Sequence, residues 1–286
     1  MLLKEAINDF RKYTAVTKAE GTQEHYIYYL KILERDLGIV ACKNISSNNI
    51  LDYIIKRKEY NPKVSNATLN KHLVALKAAV KYATGIKIEF RKLKEQKKLI
   101  QVVSEATFIK IFSYYQKHLN DPSSFRNYLF LKLLLDTGLR LSEIKHIRVS
   151  DIDFESSSIH IKITKTDVDR FVCFTDQAKK LLITFIAKYK ISELLFFDFK
   201  TGNKMTTSSV ESFIYRLKKK LEIKESITPH KWRHTFATNF LRGGGDLETL
   251  RLLMGHANLK TTQKYLHLSK NDIFKQYRKV MNQENM

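Results

Sequence analysis

Three short stretches of the chain hold the side chains best suited to chemistry. TGLRLSEI, residues 137–144, sets Arg140 just past a glycine helix stop, with Glu143 three residues on. TPHKWRHTFATNFL, residues 228–241, places His230 and Arg233 at i and i+3 on one helical face. LLMGHANLKTTQKYLHLS, residues 252–269, puts Tyr265 nine residues after His256. Each joins a cationic or imidazole group to a helix turn, an inventory for holding anionic oxygen and moving protons. No glycine-rich phosphate cradle accompanies them, so nucleotide hydrolysis has no support. His230 and His234 stand at i and i+4, but HKWRH lacks the glutamate of a zinc protease. No cluster of carboxylates or cysteines completes a metal site, and neither metal nor other cofactor is expected.

The whole chain is built to meet a polyanion. Its 286 residues carry 51 Lys and Arg against 29 Asp and Glu, a net charge of +22. Such a field attracts nucleic acid or an anionic membrane surface. No run approaches 18 apolar residues, and MLLKEAINDF is charged where a signal peptide needs an apolar stretch, so the membrane is set aside. Cys42 and Cys173 cannot form a disulfide framework and read as thiols of a reducing cytoplasm. A hydrophobic content of 43% excludes a disordered basic tail, and only 3 Pro and 9 Gly favour a mostly helical globular chain.

The elements that position the three stretches are legible in the hydrophobic pattern. Tyr26, Leu30, Leu33 and Leu37 fall on one helical face ahead of Gly38, and Leu69, Leu73, Leu76 and Val80 on another ahead of Gly85. Ser65 and Asn66 are cap candidates for the second. KIEFRKLKEQKK, residues 87–98, then gathers Lys87, Arg91, Lys92, Lys94, Lys97 and Lys98, a solvated run or a linker lying along a phosphate backbone. A second domain is expected to start at a capped helix near Ser104. Within it, 125–137, 176–189 and 206–221 read as helices. Ile159, Ile161 and Ile163 alternate with polar residues as a strand does, and 170–174 resumes strand character across a turn at 164–169. The fold class is mainly α with a small antiparallel β-sheet in the C-terminal domain.

Taken together and in order, Arg140, Lys165, His230, Arg233, His256 and Tyr265 resemble the tyrosine recombinase/integrase family of Xer- and Cre-like site-specific DNA recombinases. The motifs span about 137–269, and the two-domain layout covers essentially the whole chain. The resemblance implies a 1–90 helical core-binding, SAM-like domain, a 91–103 basic linker and a 104–286 catalytic domain, arranged as a clamp on duplex DNA. It implies metal- and ATP-independent phosphoryl transfer. Arg140 and Arg233 would clamp two phosphate oxygens in forks that Lys cannot mimic, and His256 would add a hydrogen bond. Tyr265 would attack phosphorus to give a 3′-phosphotyrosyl link. His230 would take its proton, Lys165 in ITKTDVDR would protonate the leaving 5′ oxygen, and Glu143 would buttress the site. Lys162 and Tyr277 are rivals for two of these roles; Glu143 also fits a plain surface charge pair.

The same resemblance implies a double-stranded, inverted-repeat core site, a homotetramer on two such sites, and a Holliday junction between the two strand exchanges. Off DNA the protein would be a monomer or weak dimer, with any accessory protein unidentified. The segment 272–280, with Ile273, Phe274, Tyr277 and Val280 on one face, reads as a short amphipathic helix, packed on its own domain or, as the resemblance implies, docked in a neighbouring protomer. Because the first helix begins near residue 1, a simple resolvase-like recombinase is expected over an arm-type integrase. A non-catalytic DNA-binding protein and a type IB topoisomerase are the alternatives.

Overall fold

Leucines spaced by three and four residues gather the N-terminal helices around one central helix. The computed structural model describes residues 1–18, 20–95, 100–162 and 169–266. The chain separates into two units, Met1–Lys98 and Leu99–Met286. In the first, α1 (Leu3–Thr17) and α2 (Glu20–Leu37) pack against α4 (Asn66–Thr84), and α3 (Ser47–Tyr60) lies against α2. Ser65 caps α4 by accepting the Thr68 amide, and Gly85 ends it in the left-handed region at φ +74°. The expected stripe of Leu69, Leu73, Leu76 and Val80 is buried, as are Leu30 and Leu33 of α2.

The basic stretch after α4 is tied down over its first half. The Asn70 amide donates to the Leu93 carbonyl at 3.0 Å and its oxygen accepts the Leu93 amide at 2.9 Å. Asn66 donates to the Lys94 carbonyl at 2.8 Å. Lys87, Arg91, Lys92 and Lys94 stay exposed, while Lys97 and Lys98 lie outside the described residues.

The second unit wraps its helices around α6 (Pro122–Thr137), whose start is set by Asp121 as cap and Pro122 in the first turn. On it pack α5 (Glu105–Gln116), α8 (Asp176–Tyr189) and α10 (Pro229–Arg242); α11 (Leu247–Met254) lies against α10 and α12 (Leu259–Gln263) against α11, and the unit also holds α7 (Leu141–Ile144) and α9 (Thr207–Lys220). A three-stranded antiparallel sheet runs β1 (Ile152–Asp153), β2 (Ser158–Ile161), β3 (Arg170–Cys173), with Ile159 opposite Val172 and Ile161 opposite Arg170. Ile159 and Ile161 face the core as the alternation predicts; Ile163 and most of the expected turn fall outside the described residues. Two-residue β1 is too short to show a period.

Helix α10 joins two cores. Fully buried Trp232 serves the main one, while Phe236, Ala237 and Leu241 build a smaller one with Leu250, Met254 and the ring of Tyr265. Gly138, the stop between α6 and α7, sits at φ +62° with the Phe236 ring where a Cβ would be. Gly138→Ala therefore meets both a left-handed backbone and an overpacked ring, and is expected to cost about 2–4 kcal/mol. The midpoint of urea unfolding reads this loss; an unchanged midpoint would contradict the packing described.

Candidate active site

The corner between α6 and α7 carries the first arginine. Left-handed Gly138 turns the chain so that Arg140 becomes the residue preceding α7, and the Glu143 carboxylate folds back onto it. Glu143 Oε2 accepts the Arg140 amide at 2.7 Å and Oε1 accepts Arg140 Nη1 at 2.8 Å. The same Oε2 accepts Arg170 Nη2 at 2.8 Å, so one carboxylate bridges two guanidinium groups. Burial pushes the Glu143 carboxyl up, but the hydrogen bond and charge of Arg170, with the Arg140 contacts, outweigh it and hold the group below its ordinary range. Glu143 is thus a half-buried tie between two arginines.

The turn after α11 carries the second group. Gly255, left-handed at φ +60°, ends that helix and offers its carbonyl to Arg140 Nη2 at 2.6 Å. Arg170 Nε donates to the Leu253 carbonyl at 2.9 Å, and its Nη1 is buried with no hydrogen-bond partner. A Cβ on Gly255 would lie 2.8 Å from that nitrogen, so the absence of a side chain there lets Arg170 approach.

Arg233, on the face of α10 between the two cores, points into the same place and is 5% exposed. Its Nη1 donates to the Gly138 carbonyl and its Nη2 to the Met254 carbonyl, each at 2.6 Å. Nη2 also donates to His256 Nε2 at 3.1 Å, while His256 Nδ1 donates to Thr262 Oγ1 at 2.9 Å. Burial, then the charge of Arg140, pulls Arg233 down to about 10, still cationic at neutral pH. Three guanidinium groups against one carboxylate leave an anion-seeking excess of positive charge, with Arg140 and Glu143 also lining a cavity of about 530 Å³.

Tyr265 follows α12 directly. Its ring is buried in the smaller core, and its hydroxyl shares a hydrogen bond of 2.7 Å with His234 Nδ1. Burial raises the hydroxyl to about 12, against the opposing charge of Arg233. His230, one helical turn before His234, is exposed, with its ring centroid 6.4 Å from that of His234. The structure thus brings Arg140, Glu143, Arg233, His256 and Tyr265 into one site. Lys165 lies outside the described residues; Lys162 is exposed and paired with Asp151 at 2.9 Å.

Two members of the site escaped the sequence reading. Arg170 shares the inward side of β3 with Val172, followed by Phe174; a cation at an inward position of the period was the available signal. In the sequence His234 stands out only as half of a metal pair with His230. Among the described residues no cluster of three or more metal-ligating side chains occurs, and no helix is long and apolar enough to cross a membrane.

Burial first, then nearby cations, brings both His234 and His256 down to about 4. Unfolded imidazoles titrate near about 6.5, so between these values the unfolded chain binds protons that the folded chain refuses. Their contribution to stability is full above about pH 7 and lost as pH falls from about 6.5 towards 4. The urea midpoint is expected to drop steadily over that window, and His256→Asn to flatten the drop. A midpoint that holds or rises at pH 5 would contradict buried, neutral histidines.

A helical catalytic domain with a small antiparallel sheet, carrying an Arg, His and Tyr cluster, is the arrangement of tyrosine recombinases. Residues 101–272, more than half of the chain, match the phage integrase family. The chain belongs to that family, whose members are DNA strand-transferring enzymes of site-specific recombination. It is 40% identical over 168 residues to tyrosine recombinase XerA of Saccharolobus solfataricus, an alignment spanning 58% of this chain and about half (54%) of that protein. It is 29% identical over 265 residues to tyrosine recombinase XerC of Staphylococcus aureus, covering 89% of this chain and 87% of the relative. The fold matches the Tn1549 transposon integrase in complex with circular intermediate DNA with a TM-score of 0.79 at 21% identity, over 98% of this chain and all of that one.

Proposed function

We propose that the protein cleaves and rejoins duplex DNA at a specific site through a 3′-phosphotyrosyl intermediate on Tyr265. The observation that carries this reading is the convergence of Arg140, Arg233, His256 and Tyr265, from four separate turns and helices, on one partly buried cationic site. Arg140 and Arg233 neutralise the non-bridging oxygens of the scissile phosphate, exchanging backbone carbonyl partners for phosphate. His256 adds a hydrogen bond, and Glu143 fixes Arg140 in place. Lys165 protonates the leaving 5′ oxygen. A histidine of α10 takes the proton from Tyr265, and the resemblance names His230. The fixed cations supply the charge stabilisation that a metal would otherwise provide, and no ATP is consumed.

The wider reading has the N-terminal helical unit and the exposed Lys87, Arg91, Lys92 and Lys94 contacting phosphates, so that affinity falls steeply with salt. Two inverted-repeat sites are held by four protomers, and the strand pairs exchange in turn through a Holliday junction. Off DNA the protein is a monomer or weak dimer in the cytoplasm. A simple, resolvase-like recombinase is preferred over an arm-type integrase.

The test places two copies of the DNA segment that the protein captures on one plasmid, in direct or inverted orientation. Deletion or inversion is expected. Site-independent relaxation alone would make it a topoisomerase, and an unchanged plasmid with tight binding would make it a binding module.

A further inference from the structure

We propose that His234, through Nδ1, is the group that takes the proton from Tyr265 during DNA cleavage and returns it on rejoining. This rests on Tyr265 being the nucleophile. The geometry is direct: the Tyr265 hydroxyl oxygen lies 2.7 Å from His234 Nδ1, within the range from which a base abstracts a proton. His230, exposed on the preceding turn, has its ring centroid 6.4 Å from that of His234, and it is His234 that contacts the Tyr265 oxygen. With its own proton on Nε2, a neutral His234 offers Nδ1 as the acceptor; α10 holds His234, and the smaller core holds the Tyr265 ring. In the step, the phenolic proton passes to Nδ1 and the tyrosine oxygen forms a bond to phosphorus. The P–O5′ bond breaks, its electron pair going to the 5′ oxygen, which takes a proton from a separate acid. Rejoining reverses each move.

The surroundings make this base conditional on DNA. His234 is faced by His230, Lys231 and Arg233 of its own helix and by Lys264 and Tyr265 beyond α12; burial and these cations suppress its proton affinity in the free protein. A phosphate anion seated on Arg140 and Arg233 offsets that field. A charge at about 4–6 Å moves a titration by about one to three pH units, enough to bring the imidazole towards the working range. The nucleophile is therefore kept as a neutral phenol until a phosphodiester occupies the site.

Tyr265→Phe, His234→Asn and His234→Ala are compared with wild type in single-turnover adduct formation on a synthetic nicked duplex. The duplex carries the sequence that wild type captures in cells. Asn keeps an acceptor near the Nδ1 position but cannot hold a proton. His234→Asn is expected to form adduct about 100-fold or more slowly near neutral pH, a typical general-base contribution, with DNA affinity within about threefold of wild type. Its deficit shrinks as pH rises, and added imidazole restores His234→Ala by about tenfold or more, which a packing role would not allow. His234→Asn adduct formation within about threefold of wild type, with Tyr265→Phe inactive, overturns the proposal alone. Adduct in Tyr265→Phe equal to wild type sinks the nucleophile assignment and this inference with it. Should the His234 variants fail to fold, the nitrogen-15 resonance of His234 Nδ1 in Tyr265→Phe decides. A move towards the bare-nitrogen position is expected, and no change overturns the contact.

Discussion

Tyr265→Phe is expected to abolish covalent capture of DNA, by at least about 10⁴-fold, while leaving DNA affinity within about threefold. The chemical loss is complete because the hydroxyl is the bond-forming atom and no general acid or base can replace it. The structural loss is small because the ring remains in its pocket with Leu250 and Met254. Only the hydrogen bond to His234 disappears, worth about 1 kcal/mol in the urea midpoint. Denaturing gels for adduct and native gels for binding separate the two effects. Adduct at wild-type levels would move the nucleophile to another tyrosine, with Tyr277 the first to examine.

Arg233→Lys carries the second large effect, and it strikes both chemistry and fold. The guanidinium serves the Gly138 carbonyl, the Met254 carbonyl and His256 together, in directions set by its planar fork. An ammonium group has no fork, and one as buried as Arg233 loses its proton more readily. The cleavage rate is expected to fall about 10³-fold, comparable to removing a preorganised donor from a site of developing charge. The urea midpoint is expected to fall by the equivalent of about 2–3 kcal/mol, since buried carbonyls lose their donors. Single-turnover adduct formation within about tenfold of wild type would contradict the clamp assigned to this arginine.

The residues visible in the sequence are those whose signal is local. Gly138, Gly85 and Gly38 announce helix ends because a left-handed stop sits directly after an apolar stripe, and each does occupy that region. Arg140 and Glu143 lie three residues apart, so their pairing follows from one turn of helix. Arg170 was invisible as a site residue because its partners lie 27 residues before it and 83 after it. A buried cation on the core side of a strand runs against the hydrophobic pattern that marks strands. That Tyr265 meets His234, and not the His230 that the resemblance names, was closed to the sequence for another reason. Both lie within one helical turn of Arg233, and which meets Tyr265 depends on where α11 and α12 set the chain against α10. The smaller core that fixes this is assembled from α10, α11 and the residue after α12, none of which shows its partner in its own periodicity.

The most direct measurement is the chemical identity of the protein–DNA link. Wild type is expressed in cells, the lysate is denatured, protein-linked DNA is captured and digested, and the nucleotide-bearing peptide is sequenced by mass spectrometry while the DNA end is mapped. A nucleotide esterified through its 3′ phosphate to Tyr265, at a discrete inverted repeat, is expected, with nothing recovered from Tyr265→Phe. A link to any other residue, a 5′ phosphate on the protein, or equal recovery from both proteins would contradict it.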